Sequence, residues 1–294
     1  MREYLVHFFD AFAYEESDAR YLLAAYDKIR ADLATSAMLD TALAMYQEKT
    51  DCDFPEIIAI ADRIAEKLYL HAYTVELLVF LCLSRHLEEL YAAQGIDRQI
   101  YYDSMMDLRY KLEECKLVNG IVGSFVTRWF ARFFNLTRFA LGRLQFEIVE
   151  FKYHYEKDGK VLIPGSKVVN VHIPRSSVPL TQELCTAAYR QAYDFFRDTI
   201  GEPFAFVCHS WLLYPENETL IPLHTNIYRF MHQFDIIDSG THIDNKDLWR
   251  LFDTKELNPD RLPTDTSVRR NYVTHLKQGG KTGWGYGVLF ADSL

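Results

Sequence analysis

Two histidines occupy matching positions in two apolar segments with the pattern of neighbouring β-strands. His172 lies in the segment Val168–Pro174, and His209 lies in the segment Phe204–Trp211. One helical pattern, residues 181–199, separates them, which suits two parallel neighbouring strands joined by one crossover helix. Both imidazoles then lie at the edge of the sheet where α/β proteins usually bind ligands. Histidine at such a position is a candidate general base, although it is equally a core residue bonded to a backbone carbonyl.

Other reaction types find no support in the sequence. Ser210 follows His209 directly, but adjacent strand residues point to opposite faces and no Gly-x-Ser-x-Gly motif is present. The grouping of Cys208 and His209 with the scattered histidines 224, 232 and 242 matches no zinc spacing, so we predict no metal site. Neither Gly-x-Gly-x-x-Gly nor the P-loop motif occurs, which disfavours familiar dinucleotide and nucleoside-triphosphate folds.

Size and composition favour two domains inside the cell. The chain has 294 residues, of which 49% are hydrophobic and 15% aromatic, enough for two packed cores. A net charge of -9 argues against a nucleic-acid partner, because such proteins neutralise phosphates with Lys and Arg. The five cysteines form no close pairs, which favours a reducing cytoplasm over a disulfide framework. The most apolar stretch, Val75–Leu83, is too short to span a bilayer, so we predict a cytoplasmic protein without a membrane partner.

The first part of the chain has a helical pattern. Residues 1–94 contain no glycine, and apolar residues recur at helical spacing over 20–33. Asp53 and Pro55 mark the start of a helix over 53–68. Two more helices are predicted over 71–93 and 97–118, which end before Gly95 and Gly120. We therefore predict an all-α domain.

A basic and aromatic connector, residues 117–146, follows this domain. Four arginines alternate there with aromatic residues, and no acid appears before Glu147. The pattern fits a surface for an anionic ligand or membrane, but burial of the aromatic residues between domains is the interpretation we favour.

The second part of the chain has the pattern of a mixed sheet. A strand begins near Leu144, and Asp158-Gly159 predicts a β-hairpin between 151–155 and 161–163. After the strand with His209, short helices are expected near 216–222 and 224–232, and a strand over 234–238. Two helices over 245–253 and 265–277 then precede a closing strand over 284–290.

This order of elements resembles the GNAT acyltransferase fold. Two segments are similar to those of a bacterial family of two-domain acyltransferases. They are Val-Val-Asn-Val-His-Ile-Pro-Arg at 168–175 and Phe-Val-Cys-His-Ser-Trp-Leu-Leu-Tyr-Pro at 206–215. The resemblance implies an α+β protein with a helical N-terminal domain over 1–137 and a GNAT-like mixed α/β domain over 138–294.

The resemblance also implies a site for acyl-coenzyme A. In GNAT proteins two parallel strands diverge, and the free backbone groups of the first strand bind the pantetheine arm; here these would belong to Val171 and Ile173. The pyrophosphate would lie near residues 175–182 at a helix N-terminus, bound by Arg175, Ser176 and Ser177.

The loop departs from the GNAT pattern because it has no glycine, and Glu183 in the first helical turn would compete with phosphate for the helix dipole. Locally, Thr181 and Glu183 are better explained as an ordinary favourable helix start.

By this resemblance the chain is an N-acyltransferase that uses acyl-coenzyme A and a small-molecule or peptide amine. His209 and His172 are the candidate bases, and Tyr228 is placed like the general acid of many GNAT enzymes. The alternative is a GNAT-like fold without catalysis that binds a ligand or another protein, which the missing glycine loop favours.

Overall fold

The computed structural model describes residues 1–48, 53–245 and 247–293. The chain forms two compact units, Met1–Phe139 and Ala140–Leu294. The first is helical, and the second contains the sheet.

Among its described residues the first unit has six long helices, and their ends follow local signals in the sequence. Asp53 caps the fourth helix by accepting a hydrogen bond from the Glu56 backbone N–H at 3.2 Å, and Gly120 ends the sixth with a left-handed φ of 70°. These signals confirm the predicted helices. The helices are α1 (Arg2–Ala11), α2 (Glu16–Ala31), α3 (Leu33–Glu48), α4 (Phe54–Leu68), α5 (Ala72–Ala93) and α6 (Arg98–Asn119), followed by the short α7 (Ala131–Phe134).

Helix α5 lies in the core of this unit. Its residues from Thr74 to Ser84 are all buried, which explains the apolar stretch in the sequence. Phe130 and Phe134 of the connector are also buried, and their ring centroids lie 5.3 and 5.1 Å from that of Phe80. Within the described residues, no helix combines the length and apolar character needed to cross a membrane.

A six-stranded sheet in the order β1-β2-β5-β6-β8-β7 dominates the second half, beside a two-stranded hairpin of β3 and β4. Its strands are β1 (Arg138–Leu141), β2 (Leu144–Glu150), β3 (Tyr155–Lys157), β4 (Lys160–Leu162), β5 (Lys167–His172), β6 (Ala205–Ser210), β7 (Asp235–Thr241) and β8 (Gly283–Phe290). All except β1 overlap predicted strands, although β3 shares only Tyr155 with the predicted first arm of the hairpin, 151–155. β1 lies within the connector, where no strand was predicted.

Helix α8 covers one face of this sheet. It spans Gln182–Ile200 and places Tyr189 against Phe146 of β2 and Phe206 of β6. On the opposite face, Phe151 and Leu162 pack with Val168, Val207 and their neighbours. The remaining helices are α9 (Asn217–Leu220), α10 (Asn226–Met231), α11 (Leu248–Phe252) and α12 (Ser267–Lys277).

Four cysteines, at positions 82, 115, 185 and 208, are free thiols and buried. Burial raises the pKa of Cys82 to about 12, so that thiol stays protonated at neutral pH. Cys52 lies outside the described residues.

Candidate active site

Strands β5 and β6 are parallel neighbours that separate after a short contact. They pair only at Val169 with Phe206 and at Asn170 with Val207. Beyond these pairs β5 continues beside β2 up to His172, and β6 continues beside β8 up to Ser210. The carboxyl-terminal ends of the two strands therefore border a gap in the sheet with no β5–β6 ladder across it.

A cleft of about 830 Å³ adjoins this gap on the face opposite α8. Its size falls within the range of sites that hold small molecules. The lining comes from the end of β2 and the segment after it (Val149, Glu150, Lys152, Tyr153), from β5 and β6 (Asn170, His209), from the end of β7 (Thr241, His242, Ile243, Asp244) and from β8 (Trp284, Tyr286).

His209 is exposed to this cleft beside two aromatic rings. Its imidazole centroid lies 4.7 Å from the Trp284 ring and 6.3 Å from the Tyr286 ring. Partial burial lowers the pKa of His209 below its ordinary value of 6.5, and the nearby His242 lowers it further. The imidazole is therefore mostly neutral at pH 7 and able to accept a proton.

His172 has a different environment at the end of β5. Its Nε2 lies 2.8 Å from Glu147 Oε1, and Asn170 Nδ2 donates to the same oxygen at 3.4 Å. Glu147 is buried, and His172 is partly buried. The antiparallel register of β2 and β5, which pairs Glu147 with Asn170, brings these groups together. If Nε2 donates to the carboxylate, Nδ1 is the proton-accepting nitrogen of the neutral ring.

The predicted phosphate loop connects β5 to α8. The Arg175 guanidinium forms an ion pair with Asp253, which also accepts from Arg269 Nη2 at 2.6 Å. These two arginines hold the pKa of the Asp253 carboxyl below its ordinary value, against the opposing effect of burial. Ser176 and Ser177 lie in the same loop, and Ser177 is exposed.

Two further contacts shape this loop. The Arg143 guanidinium donates to the carbonyl oxygens of Val178 at 2.9 Å and Pro174 at 3.2 Å. Thr181 Oγ1 accepts from the Leu184 N–H at 3.3 Å and caps α8, which confirms its predicted role as a helix start. Backbone and hydroxyl hydrogen bonds lower the pKa of Glu183 at this terminus.

Tyr228 lies on α10 and is absent from the cleft lining. Its hydroxyl donates to Glu218 Oε2 at 2.9 Å. This hydrogen bond to a carboxylate raises the pKa of the phenol, which keeps its proton at neutral pH.

Sequence reasoning missed the aromatic residues of the cleft. In the segment Gly-Trp-Gly-Tyr-Gly at 283–287, the glycines and the aromatic residues lie on opposite faces of the sheet. A Cβ atom on Gly285 would collide with the Leu213 carbonyl, so glycine at this position allows close packing, while Trp284 and Tyr286 face the cleft. The alternation itself was the available signal. Among the described residues, no group of three or more His, Cys, Asp or Glu side chains is arranged to hold a metal ion.

Two family models together match most of the chain. Residues 3–136 match the N-acyltransferase N-terminal domain, and residues 138–289 match the GNAT-like C-terminal domain. The chain belongs to this family of acyltransferases. The predicted α+β class, with a helical domain before a GNAT-like one, is thereby confirmed.

Solved acyltransferase structures share this fold over nearly the full length. A mutant acyltransferase in complex with octanoyl-CoA is 20% identical, with a TM-score of 0.78 over 98% of this chain and 88% of that chain. An acyltransferase in complex with decanoyl-CoA and teicoplanin is also 20% identical, with a TM-score of 0.76 over 97% of this chain and 87% of that chain. No protein with a curated description matches the chain.

Proposed function

We propose that this GNAT-family protein transfers an acyl group from acyl-coenzyme A to the amino group of a small molecule or peptide. The observation that carries the proposal is the separation of β5 and β6 after two residue pairs. In this family's fold that gap is where the thioester arm binds, and His209 lies on the adjoining cleft. The acyltransferases that match this fold were crystallised with octanoyl-CoA and decanoyl-CoA, which supports the same donor here.

The donor would bind as an additional strand. The backbone of Val171 and Ile173 borders the gap beyond the last β5–β6 pair and offers hydrogen bonds to the two amides of the pantetheine arm. The side chain of Val171 is buried, so recognition at this position is through the main chain.

The pyrophosphate would lie at the loop with Arg175, Ser176 and Ser177. Because Arg175 is already paired with Asp253, its charge is partly neutralised before a phosphate arrives. Glu183 places a further negative charge at the start of α8. We therefore expect phosphate binding to depend more on hydroxyl and backbone donors than on net positive charge.

The reaction begins with the neutral amine attacking the thioester carbonyl carbon. The new C–N bond forms, the C–S bond breaks, and the amine proton passes to the His209 imidazole directly or through one water. His172 is the second candidate base, and Tyr228 would supply the proton that converts the departing thiolate to a thiol. The products are an amide and coenzyme A.

Calorimetry with acetyl-, octanoyl- and decanoyl-coenzyme A tests the donor, and thiol release with a panel of amines tests the reaction. We expect micromolar binding of at least one acyl-coenzyme A and amine-dependent thiol release. Binding without release for any amine would favour the non-catalytic binding module. The absence of heat with all three donors at high micromolar concentration would refute the proposed function.

A further inference from the structure

Three aromatic side chains form one wall of the cleft, which we call the aromatic wall: Tyr153, Trp284 and Tyr286. Trp284 and Tyr286 are two residues apart on β8 and so share a face. The ring centroids of Tyr153 and Tyr286 are 5.0 Å apart, and the register pairs Tyr286 with His209. The candidate base therefore lies beside the aromatic wall, with its imidazole centroid 4.7 Å from the Trp284 ring and 6.3 Å from the Tyr286 ring.

The aromatic wall is held in place before any ligand arrives. The Tyr153 hydroxyl donates to Asp238 Oδ2 at 2.7 Å, which fixes the end of that ring. The Trp284 indole lies directly on the backbone of β7 at Gly240, where a Cβ atom would come within 2.9 Å of Trp284 Cζ2. A rigid surface loses little conformational entropy when a flat ligand packs on it.

Charged groups surround this apolar surface. Glu150, Asp244 and Lys152 all line the cleft and are exposed. Among the described lining residues, the Glu150 and Asp244 carboxylates and the π faces of the aromatic wall attract a cation, whereas Lys152 opposes it. An ammonium group attached to an aromatic ring fits this combination better than an amine that carries many hydroxyl groups and little apolar surface.

We propose, on the basis of the proposed acyl transfer, that the acceptor is a primary amine joined to an aromatic ring by a short flexible linker. The ring packs on the aromatic wall, and the carboxylates hold the ammonium as it enters. The ammonium first loses one proton to water. The neutral amino group then reaches His209, which takes the second proton as the C–N bond forms and the C–S bond breaks.

Thiol release with saturating octanoyl-coenzyme A provides the test, using 2-phenylethylamine, its saturated analogue 2-cyclohexylethylamine, and glucosamine. We expect kcat/KM for 2-phenylethylamine to exceed that for glucosamine at least tenfold and to exceed that for the saturated amine severalfold. Trp284→Leu should lower kcat/KM for 2-phenylethylamine about tenfold, mainly through KM, and lower kcat/KM for glucosamine by a clearly smaller factor. Trp249→Leu, in α11 and outside the cleft lining, is the matched control.

The comparison of amines uses the unaltered protein, so its result does not depend on whether a variant folds. Equal or better turnover of glucosamine would overturn the aromatic acceptor while leaving acyl transfer intact. A second outcome would also overturn the inference. If Trp284→Leu changes the preference among acyl chain lengths but keeps the preference among amines, the aromatic wall binds the acyl donor. Loss of thiol release with every amine would instead count against the proposed function.

Discussion

The ends of β5 and β6 each present a histidine at the same gap, but the two imidazoles have different surroundings. His172 is partly buried and lies 2.8 Å from the buried Glu147 carboxylate. His209 is exposed to an aromatic cleft, and partial burial together with His242 lowers its pKa. A carboxylate holds one ring in place, whereas partial burial and the nearby His242 keep the other neutral.

From the sequence, His172 and His209 are both candidate bases and both possible core residues. Their different surroundings now distinguish them. A base must be unprotonated and accessible to the amine, and His209 meets both conditions. The Glu147–His172 pair is suited to fix the edge where β2 and β5 continue past the gap, because buried polar groups that are hydrogen-bonded favour one arrangement of the chain. We therefore rank His209 above His172 as the base.

The largest expected effect comes from removing the imidazole of the cleft. His209→Gln should lower kcat for thiol release roughly 100-fold or more, the usual contribution of a general base. His172→Gln should lower it far less. His7→Gln, at an exposed position of α1, is the control. An equal loss in the His209 and His172 variants would contradict the ranking.

The second effect concerns stability at the end of β5. Glu147→Ala leaves the partly buried His172 without its carboxylate acceptor and should cost about 1–3 kcal/mol of unfolding free energy. Glu218→Ala breaks the exposed pair of Glu218 with His232, 3.2 Å apart, and should cost less than about 1 kcal/mol. Urea unfolding followed by circular dichroism measures both. Similar costs for the two variants would show that the buried pair contributes no special stability.

Local signals were sufficient to predict most elements that carry the site. Asp158 and Gly159 adopt positive φ values of 51° and 76°, the conformation that Asp-Gly turns favour, and the hairpin forms around this turn, with its first strand at 155–157 instead of 151–155. The segments that contain His172 and His209 also suggested two parallel neighbouring strands, since one crossover helix leaves few other arrangements, and the structure pairs these strands in parallel.

The contacts that distinguish the two histidines depend on long-range register. Glu147 is 25 residues from His172 in sequence, and only the pairing of β2 with β5 brings them together. Trp284 is farther still from His209, on a strand whose position depends on the whole sheet. Sequence periodicity specifies which face a residue occupies but not which distant residue it meets.

A smaller effect should appear in the pH dependence of turnover. The base is active when neutral, so kcat/KM expressed per neutral amine should rise with pH through the lowered pKa of His209 and level off above it, with the rising limb below pH 6.5. His242→Gln removes a group that lowers this pKa, while Asp238 and Asp247, which raise it, stay in place. The limb should therefore move to higher pH. His232→Gln, on the exposed pair with Glu218, should leave it unchanged.

Titration of the imidazole resonances by NMR identifies the group that moves. If the His209 resonance keeps its midpoint in His242→Gln while the rate profile shifts, another group controls the limb. If neither shifts, His242 has no influence on the base.

The smallest effect is expected for the candidate acid. Tyr228→Phe should lower kcat only about threefold, well below the usual gain from general acid catalysis, because a thiol with an ordinary pKa near 8.5 leaves readily without full protonation. Tyr193→Phe is a close control, since Tyr193 also donates to a carboxylate, Glu202 Oε1 at 3.2 Å, on an exposed part of the same unit. Thiol release at several pH values separates the two variants: loss of an acid should depress the rate most at high pH, where solvent protons are scarce. An unchanged rate in Tyr228→Phe would show that its hydroxyl is only a structural partner of Glu218. The histidines at the ends of β5 and β6 would then be sufficient to explain the proton transfers.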